Sequence, residues 1–518
     1  MLALGGHRAR CEAGEPAPQA RITQGRLAGV RIGDVDSFLG IPYAAAPVGA
    51  DRWRAPQPAP HWHGVRSADR FGPSCEQPIT PSGFGPWTRE YVVHGRVSEN
   101  CLYLNIWAPA HARRPLPVMM WIPGGGFVSG SGSVPIYDGA RLAAHGIIVV
   151  TINYRLGVLG FFTDPVLVAQ ARREHEPPGN WGLQDMIAAL KWLHGNIAAF
   201  GGDPDQITIA GQSAGSIAVQ ELLTSPLAVG LFARAIAESG LADSIPAIRL
   251  ARAEKAGQAF ARAKGAVTLA ALRALSPKAL ESATPMLSPV AMPIVDGVLL
   301  PASPEHRLAA GEVNHVPVLL GMNANDSVVF LGGLPSSVSR SAWRAFLRKN
   351  FAAMAPRFAK LYPARGNAGR ARQMRAVRRD LGLAALYSWS RLWLAQGRAP
   401  AYAYLWTHVE PGPQSARWGA FHSSEIPYVF QTLGKAPARH FTAVDRMISR
   451  RMSRYWVNFV KTGNPNGPGL PAWPRLSAGA PRLMRLGARM WPRPFLPPAK
   501  LHAMRSFIAH GGHVGIFQ

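Results

Sequence analysis

Residues 208–216 read TIAGQSAGS and place Ser213 at the centre of a Gly-x-Ser-x-Gly pattern. The preceding QITIAG predicts a buried strand and the following SIAVQELLTS a helix. A strand that turns sharply into a helix strains the turn residue, and bulky neighbours two positions either side would collide with the turn or an incoming substrate. Gly211 and Gly215 relieve that collision. Ser213 is therefore expected at the C-terminal edge of a sheet, at the positive end of the next helix. The pattern alone is weak, because Gly and Ser are common; its setting between strand and helix makes Ser213 a candidate nucleophile.

An unassisted serine is a poor nucleophile, so a base must take its proton and a third group must orient that base. In strand-turn-helix architectures of this kind the partners follow the serine in the order acid, then histidine. VLLGMNANDSVVF offers Asp326 just after a predicted strand, and WGAFHSSEIPYVF offers His422 in a Gly-led loop before a helix. Taken singly, Asp326 reads as a helix N-cap and His422 as a surface histidine. Their order and settings together favour the acid and the base. The oxyanion formed when a carbonyl is attacked needs N–H donors, and MMWIPGGGFVSGSG puts three glycines at the end of a strand. Gly125, Gly126 and the amide of Ala214 are the candidate donors. A phosphate cradle is the rival reading, but no Lys-Ser or Lys-Thr follows the glycines.

These residues need a rigid frame. LPVMMWIP and GIIVVTINY are near-continuous apolar runs, as in strands covered on both faces. NWGLQDMIAALKWLHGNIAAF, over residues 180–200, has helical apolar spacing and is followed by the turn signal GGDPD. Alternating strands and helices imply an α/β fold, with a mostly parallel sheet and helices on both faces. Beyond Glu238 the chain becomes helix-rich, and VPVLLGMN and APAYAYLW read as later strands of the same sheet. The expected organisation is a poorly ordered tail over residues 1–20 and a single elaborated domain over residues 21–518.

The chain has 518 residues, 47% hydrophobic and 16% charged, which fits a globular enzyme and excludes a disordered chain. Its net charge of +27 comes mostly from arginine, much of it in RSAWRAFLRKN, RGNAGRARQMRAVRRD and RMISRRMSR. Helical spacing in these runs predicts arginines on solvated faces. A polyanion-binding surface is the competing reading, but no zinc-ligand spacing, basic zipper or stacking-aromatic platform accompanies the charge, so no nucleic-acid partner is expected. Three cysteines, Cys11, Cys75 and Cys101, are too few for a disulfide scaffold or a cysteine-based zinc site. Cys75 and Cys101 stand either as a loop-closing disulfide or as two buried thiols. No run of eighteen apolar residues predicts a membrane span. In MLALGGHRARCEAGEPAPQA the arginines follow the apolar start, the reverse of a secretory signal; either export is absent or the signal lies outside this chain.

From about Arg21 onward the chain resembles the type-B carboxylesterases, a family that includes bacterial p-nitrobenzyl esterases, liver carboxylesterases and the cholinesterases. The resemblance rests on FLGIPYAAAPVGADRWRAPQP, SENCLYLNIWAP, WIPGGGFVSGSG, NYRLGVLGFF, the long stretch from NWGLQDM to GQSAGS, FHSSEIPYVF and YWVNFVKTGNPN, in that order. It implies an α/β-hydrolase fold with helical elaborations around an active-site gorge. It also implies no cofactor, a small-molecule ester as substrate and hydrolysis through an acyl-enzyme with water as acceptor. By the same resemblance Ser213 is the nucleophile, Asp326 stands where the family usually has Glu, His422 is the base, and Gly125, Gly126 and Ala214 match the oxyanion hole. Ser239 and Glu425 match positions that support the histidine from behind. Cys75 and Cys101 match a disulfide at the gorge rim, and Arg52 with Glu99 matches a nearby ion pair.

Departures from the family pattern carry their own expectations. Asn100 replaces the usual Asp, which puts a local ion pair with Arg155 in doubt. Asp326, one methylene shorter than Glu, requires its loop to approach His422 more closely. Trp87 is not at the offset where cholinesterases stack choline, and Gln212 rather than Glu precedes the serine, so a general carboxylesterase is expected. A Cys75–Cys101 bridge would favour a periplasmic or secreted location. The competing functions are a triad-less adhesion or binding protein, a polyanion binder, and an acyltransferase that uses the same triad. The intact Ser, acid, His and Gly-Gly-Gly set argues against the first.

Overall fold

The apolar runs around the candidate donors become adjacent strands in the middle of one large sheet. In the computed structural model, residues 16–242, 247–281 and 287–517 are described. The sheet strands, in chain order, are Val30–Ile32 (β1), Val35–Pro42 (β2), Tyr103–Pro109 (β3), Leu116–Ile122 (β4), Ile148–Ile152 (β5), Gly202–Gln212 (β6), Arg234–Glu238 (β7), Val318–Asn323 (β8), Ala401–Trp406 (β9), Arg482–Leu486 (β10) and Trp491–Pro494 (β11). Their order in space is β11-β10-β9-β8-β7-β6-β4-β5-β3-β2-β1. Pairing is parallel from β5 across to β10 and antiparallel at both ends.

Why β4 lacks polar residues follows from its position. Val118, Met120 and Ile122 face a core shared with helices Trp181–Asn196 (α1), Ala214–Thr224 (α2) and Gly366–Gln396 (α4). Met119 and Trp121 point the other way, into a core closed by helix Ala443–Thr462 (α5). Successive strand side chains alternate between faces, so a strand covered on both must be apolar throughout. Helices Arg340–Phe351 (α3) and Pro498–Ala509 (α6) complete the outer layer on the first face.

Two expectations change. The tail boundary moves: Gln19–Ile22 pairs with Gly25–Ala28, with Ala20 buried, while residues 1–15, including Cys11, lie outside the described residues. The arginines of α3 are solvated, since Trp343, Leu347 and Phe351 make its inner face. Those of α4 are not all solvated, being half-buried ties between α4 and α3 or the segment before it. Arg370 and Arg375 donate to the carbonyls of Val338 (2.9 Å) and Pro335 (2.6 Å), and Arg378 lies over the Phe346 ring. Among the described residues no helix is long and apolar enough to cross a membrane.

Candidate active site

Ser213 occupies the turn between β6 and α2 with φ 59° and ψ −124°, a strained conformation for a residue with a side chain. The glycines around it are required by backbone, not by substrate. A Cβ on Gly215 would lie 2.1 Å from the Ile122 carbonyl oxygen at the end of β4, and one on Gly211 would lie 2.5 Å from that of Gly215. Gly215→Ala is expected to push the start of α2 away from the end of β4, lowering both the thermal midpoint and ester turnover, as a melt and an assay on one preparation would reveal.

The second strand end supplies the carboxylate. Asp326 follows β8 and Oδ1 lies 2.8 Å from His422 Nδ1, with both residues 2% exposed. Its other oxygen accepts from the Asn323 N–H at 2.7 Å. The short side chain reaches because two asparagines zip the loops together. Asn325 N–H donates to the Ala420 carbonyl at 3.1 Å and Asn325 Oδ1 accepts from Ala420 N–H at 3.0 Å, while Asn323 Nδ2 donates to the Phe421 carbonyl at 2.7 Å. With Asp326 on Nδ1, Nε2 is the ring nitrogen open to a reacting group.

A single nitrogen, Gln212 Nε2, lies 3.4 Å from Nδ1 and 3.2 Å from Nε2 of His422. A donor that close to both ring nitrogens sits over the ring face rather than in its plane. Its Oε1 accepts from the Ser423 hydroxyl, and Trp87 Nε1 donates to the His422 carbonyl at 3.0 Å, so the imidazole is held from above and at its backbone. Trp87 is held in turn by a buried ion cluster. Arg439 pairs with Glu90 at 2.7 Å and Glu410 at 3.3 Å and donates to the Pro86 carbonyl. The Cys75–Cys101 disulfide, Cα to Cα 4.9 Å, closes the loop that carries Trp87.

Beneath the histidine lie two more buried carboxyls. Glu425 accepts from Asn323 Nδ2 and, at 3.5 Å, from the Ser239 hydroxyl; Glu238 accepts from Trp456 Nε1 at 2.7 Å. Burial, then the neighbouring carboxylates of Glu238 and Asp326, pushes Glu425 well above the usual carboxylate range. Burial holds Glu238 up at about 8, against the Trp456 donor. A carboxyl raised by folding binds protons that the unfolded chain does not, so its stability contribution is complete below the unfolded value and is lost as pH rises to about 8. Glu238→Gln is therefore expected to flatten the fall in thermal midpoint between about pH 5 and pH 8, measured by calorimetry across that range.

Gly125 and Gly126 sit beyond β4 with φ of 120° and 63°, and a Cβ on Gly125 would strike the Ser129 carbonyl at 2.2 Å. Among the described residues no acceptor takes the N–H of Gly125, Gly126 or Ala214. These groups, Ser213 and His422 line one cavity of about 700 Å³. Its walls include Phe84, Trp87, Tyr91, Phe127, Phe330 and Phe517, and among the described residues no lysine, arginine, aspartate or glutamate. Such an arrangement can hold a neutral carbonyl compound with its oxygen on three N–H groups beside a hydroxyl and a carboxylate-bound imidazole.

The structure brings Ser213, Asp326, His422, Gly125, Gly126 and Ala214 together, and places Ser239 and Glu425 behind them. Arg52 pairs with Glu99 at 2.6 Å. The doubt over Arg155 resolves differently: its partner is Asp185, at 2.7 Å, and Asn100 instead accepts from the Tyr103 hydroxyl. Nothing in the sequence singles out Asn323 and Asn325, which sit at the end of β8 and in the turn before Asp326. In the sequence Gln212 and Trp87 stand out only as departures from choline recognition, and Phe330 and Phe517 carry no local signal.

Residues 16–494 match the sequence profile of the carboxylesterase family. The chain is 39% identical to "Fumonisin B1 esterase" of Sphingopyxis macrogoltabida, over 88% of this chain and 84% of that protein. It is 35% identical to "Cocaine esterase" of Homo sapiens, over 85% and 81% respectively. A solved structure of PNB esterase superposes with a TM-score of 0.79 at 30% identity, covering 94% of this chain and 99% of that one, and shares its α/β-hydrolase fold. On that profile and these likenesses, the chain belongs to the carboxylesterase family, type B, and is a carboxylic ester hydrolase.

Proposed function

We propose that this esterase works through a serine acyl-enzyme in which Ser213 attacks, His422 moves the proton and Asp326 orients the imidazole. The observation that carries the reading is the 2.8 Å Asp326–His422 contact in the same cavity as a serine on a strained turn. Attack by Ser213 Oγ sends its proton to His422 Nε2 and the carbonyl electrons to an oxyanion held by the N–H groups of Gly125, Gly126 and Ala214. Collapse expels the alcohol, which takes the proton back from Nε2. Water then attacks the acyl group with the same base, and the acid leaves. Glu425 and Ser239 act at one remove, through Asn323, which ties both loops.

The cavity lining supports uncharged esters with bulky apolar or aromatic groups as substrates, since it is largely apolar and its described residues offer no counter-ion to a permanent charge. The test is a stoichiometric organophosphate, diethyl p-nitrophenyl phosphate. One equivalent of p-nitrophenol should be released, with the diethylphosphoryl group on the peptide containing Ser213 by mass spectrometry. Ester turnover that persists without that adduct, or an adduct elsewhere, overturns the assignment.

A further inference from the structure

Helix α6 ends at Ala509, and the chain that follows returns to the reaction centre rather than leaving the surface. Over residues 513–517 the side chains alternate. Val514 and Ile516 are 8% and 1% exposed and join the core cluster, while His513, Gly515 and Phe517 line the cavity that holds Ser213 and His422. The segment, which closes in a turn at Ile516 and Phe517, is thus anchored on one side and presents the other to the substrate space. Phe517 packs edge-on against the His422 ring, centroids 5.3 Å apart, and edge-on against Phe330 at 5.2 Å; Phe330 lies 6.0 Å from the same imidazole.

The side of the cavity matters. His422 Nε2 returns its proton to the departing oxygen, so the alcohol portion of an ester must lie beside the imidazole. The acyl portion extends away from it, past the donor glycines, where Phe127, Ile217 and Met292 line the same cavity. Resting on the proposed roles of Ser213 and His422, we infer that Phe517, with Phe330, forms the alcohol-side wall of the cavity and sets the preference for planar aromatic alcohols. Phe517 is a specificity-determining residue that touches the leaving group, and Val514 and Ile516 hold it there.

The experiment compares 1-naphthyl butyrate with ethyl butyrate on the full chain. The alcohol is present during acylation, which kcat/KM reports, and has gone before the butyryl-enzyme is hydrolysed. In Phe517→Ala the ratio of kcat/KM for the naphthyl over the ethyl ester is expected to fall about tenfold, the size of a lost aromatic contact. Hydrolysis of the butyryl-enzyme, followed in single turnover, should not share that loss. Phe517→Leu keeps packing volume without the ring and should lower the ratio in the same direction, which covers poor folding of the alanine variant. Equal losses in acylation and deacylation would make Phe517 a prop for His422 and overturn the inference, as would an unchanged ratio in both variants. Absence of a butyryl adduct on Ser213 in the wild type would instead overturn the serine reading itself.

Discussion

Ser213→Ala is expected to lower kcat for p-nitrophenyl butyrate by on the order of 10⁶-fold while leaving the thermal midpoint within a few degrees of wild type. The wild type should release a burst of p-nitrophenol as the acyl-enzyme fills, and the variant none. The magnitude follows from cooperation: without the hydroxyl the imidazole has no proton to take, and its own contribution disappears with it. A residual rate from the three N–H groups and binding should persist. Relief of the φ 59° strain cannot produce this loss, because alanine at the same turn suffers the same backbone conformation. A variant that keeps a burst, or turns over within tenfold of wild type, would remove Ser213 from the mechanism.

Asp326→Asn should cost about 10⁴ in kcat, second to the serine. The amide preserves size but can present an N–H donor to Nδ1 where the carboxylate accepted at 2.8 Å, so the imidazole takes the wrong tautomer and its emerging cation loses its partner. Because Asp326 Oδ2 also accepts from the Asn323 N–H, the amide oxygen is expected to remain there, turning NH₂ toward the histidine. Measuring kcat against pH separates this from a folding defect. A loss of at least a thousandfold across the whole profile, with an unchanged melt, fits the orienting role, whereas a loss recovered at high pH would mean that protonation of His422 alone is at fault.

Much of this was legible in the chain because it depends on short-range sterics and on period. The serine turn needs small residues at fixed offsets, the two-faced strands need uninterrupted apolar runs, and chain order constrains which acid and which histidine follow. Those constraints act over a few residues and are written locally. The fit of Asp326 was only half legible: its short side chain poses the problem, but Asn323 and Asn325 solve it by hydrogen bonds to residues 420 and 421, far along the chain. Arg155 taught the same lesson, since Asp185 and not residue 100 proved to be its partner.

The sequence by itself determined which reactive residue types the chain carries and in what order. A hydroxyl, an acid and a glycine run at strand ends, with an imidazole in a longer loop beyond the next strand, can belong to one edge once the strands are parallel, because parallel strands align their C-terminal ends. Only the tertiary structure decided what surrounds that chemistry. Gln212 lies over the imidazole, Trp87 is pinned by a distant Arg439 cluster, two further carboxyls lie buried beneath, and Phe517 swings back to the catalytic edge. These contacts join segments far apart in the chain, where no periodicity reaches, and are fixed by how the covering helices and loops close over the sheet.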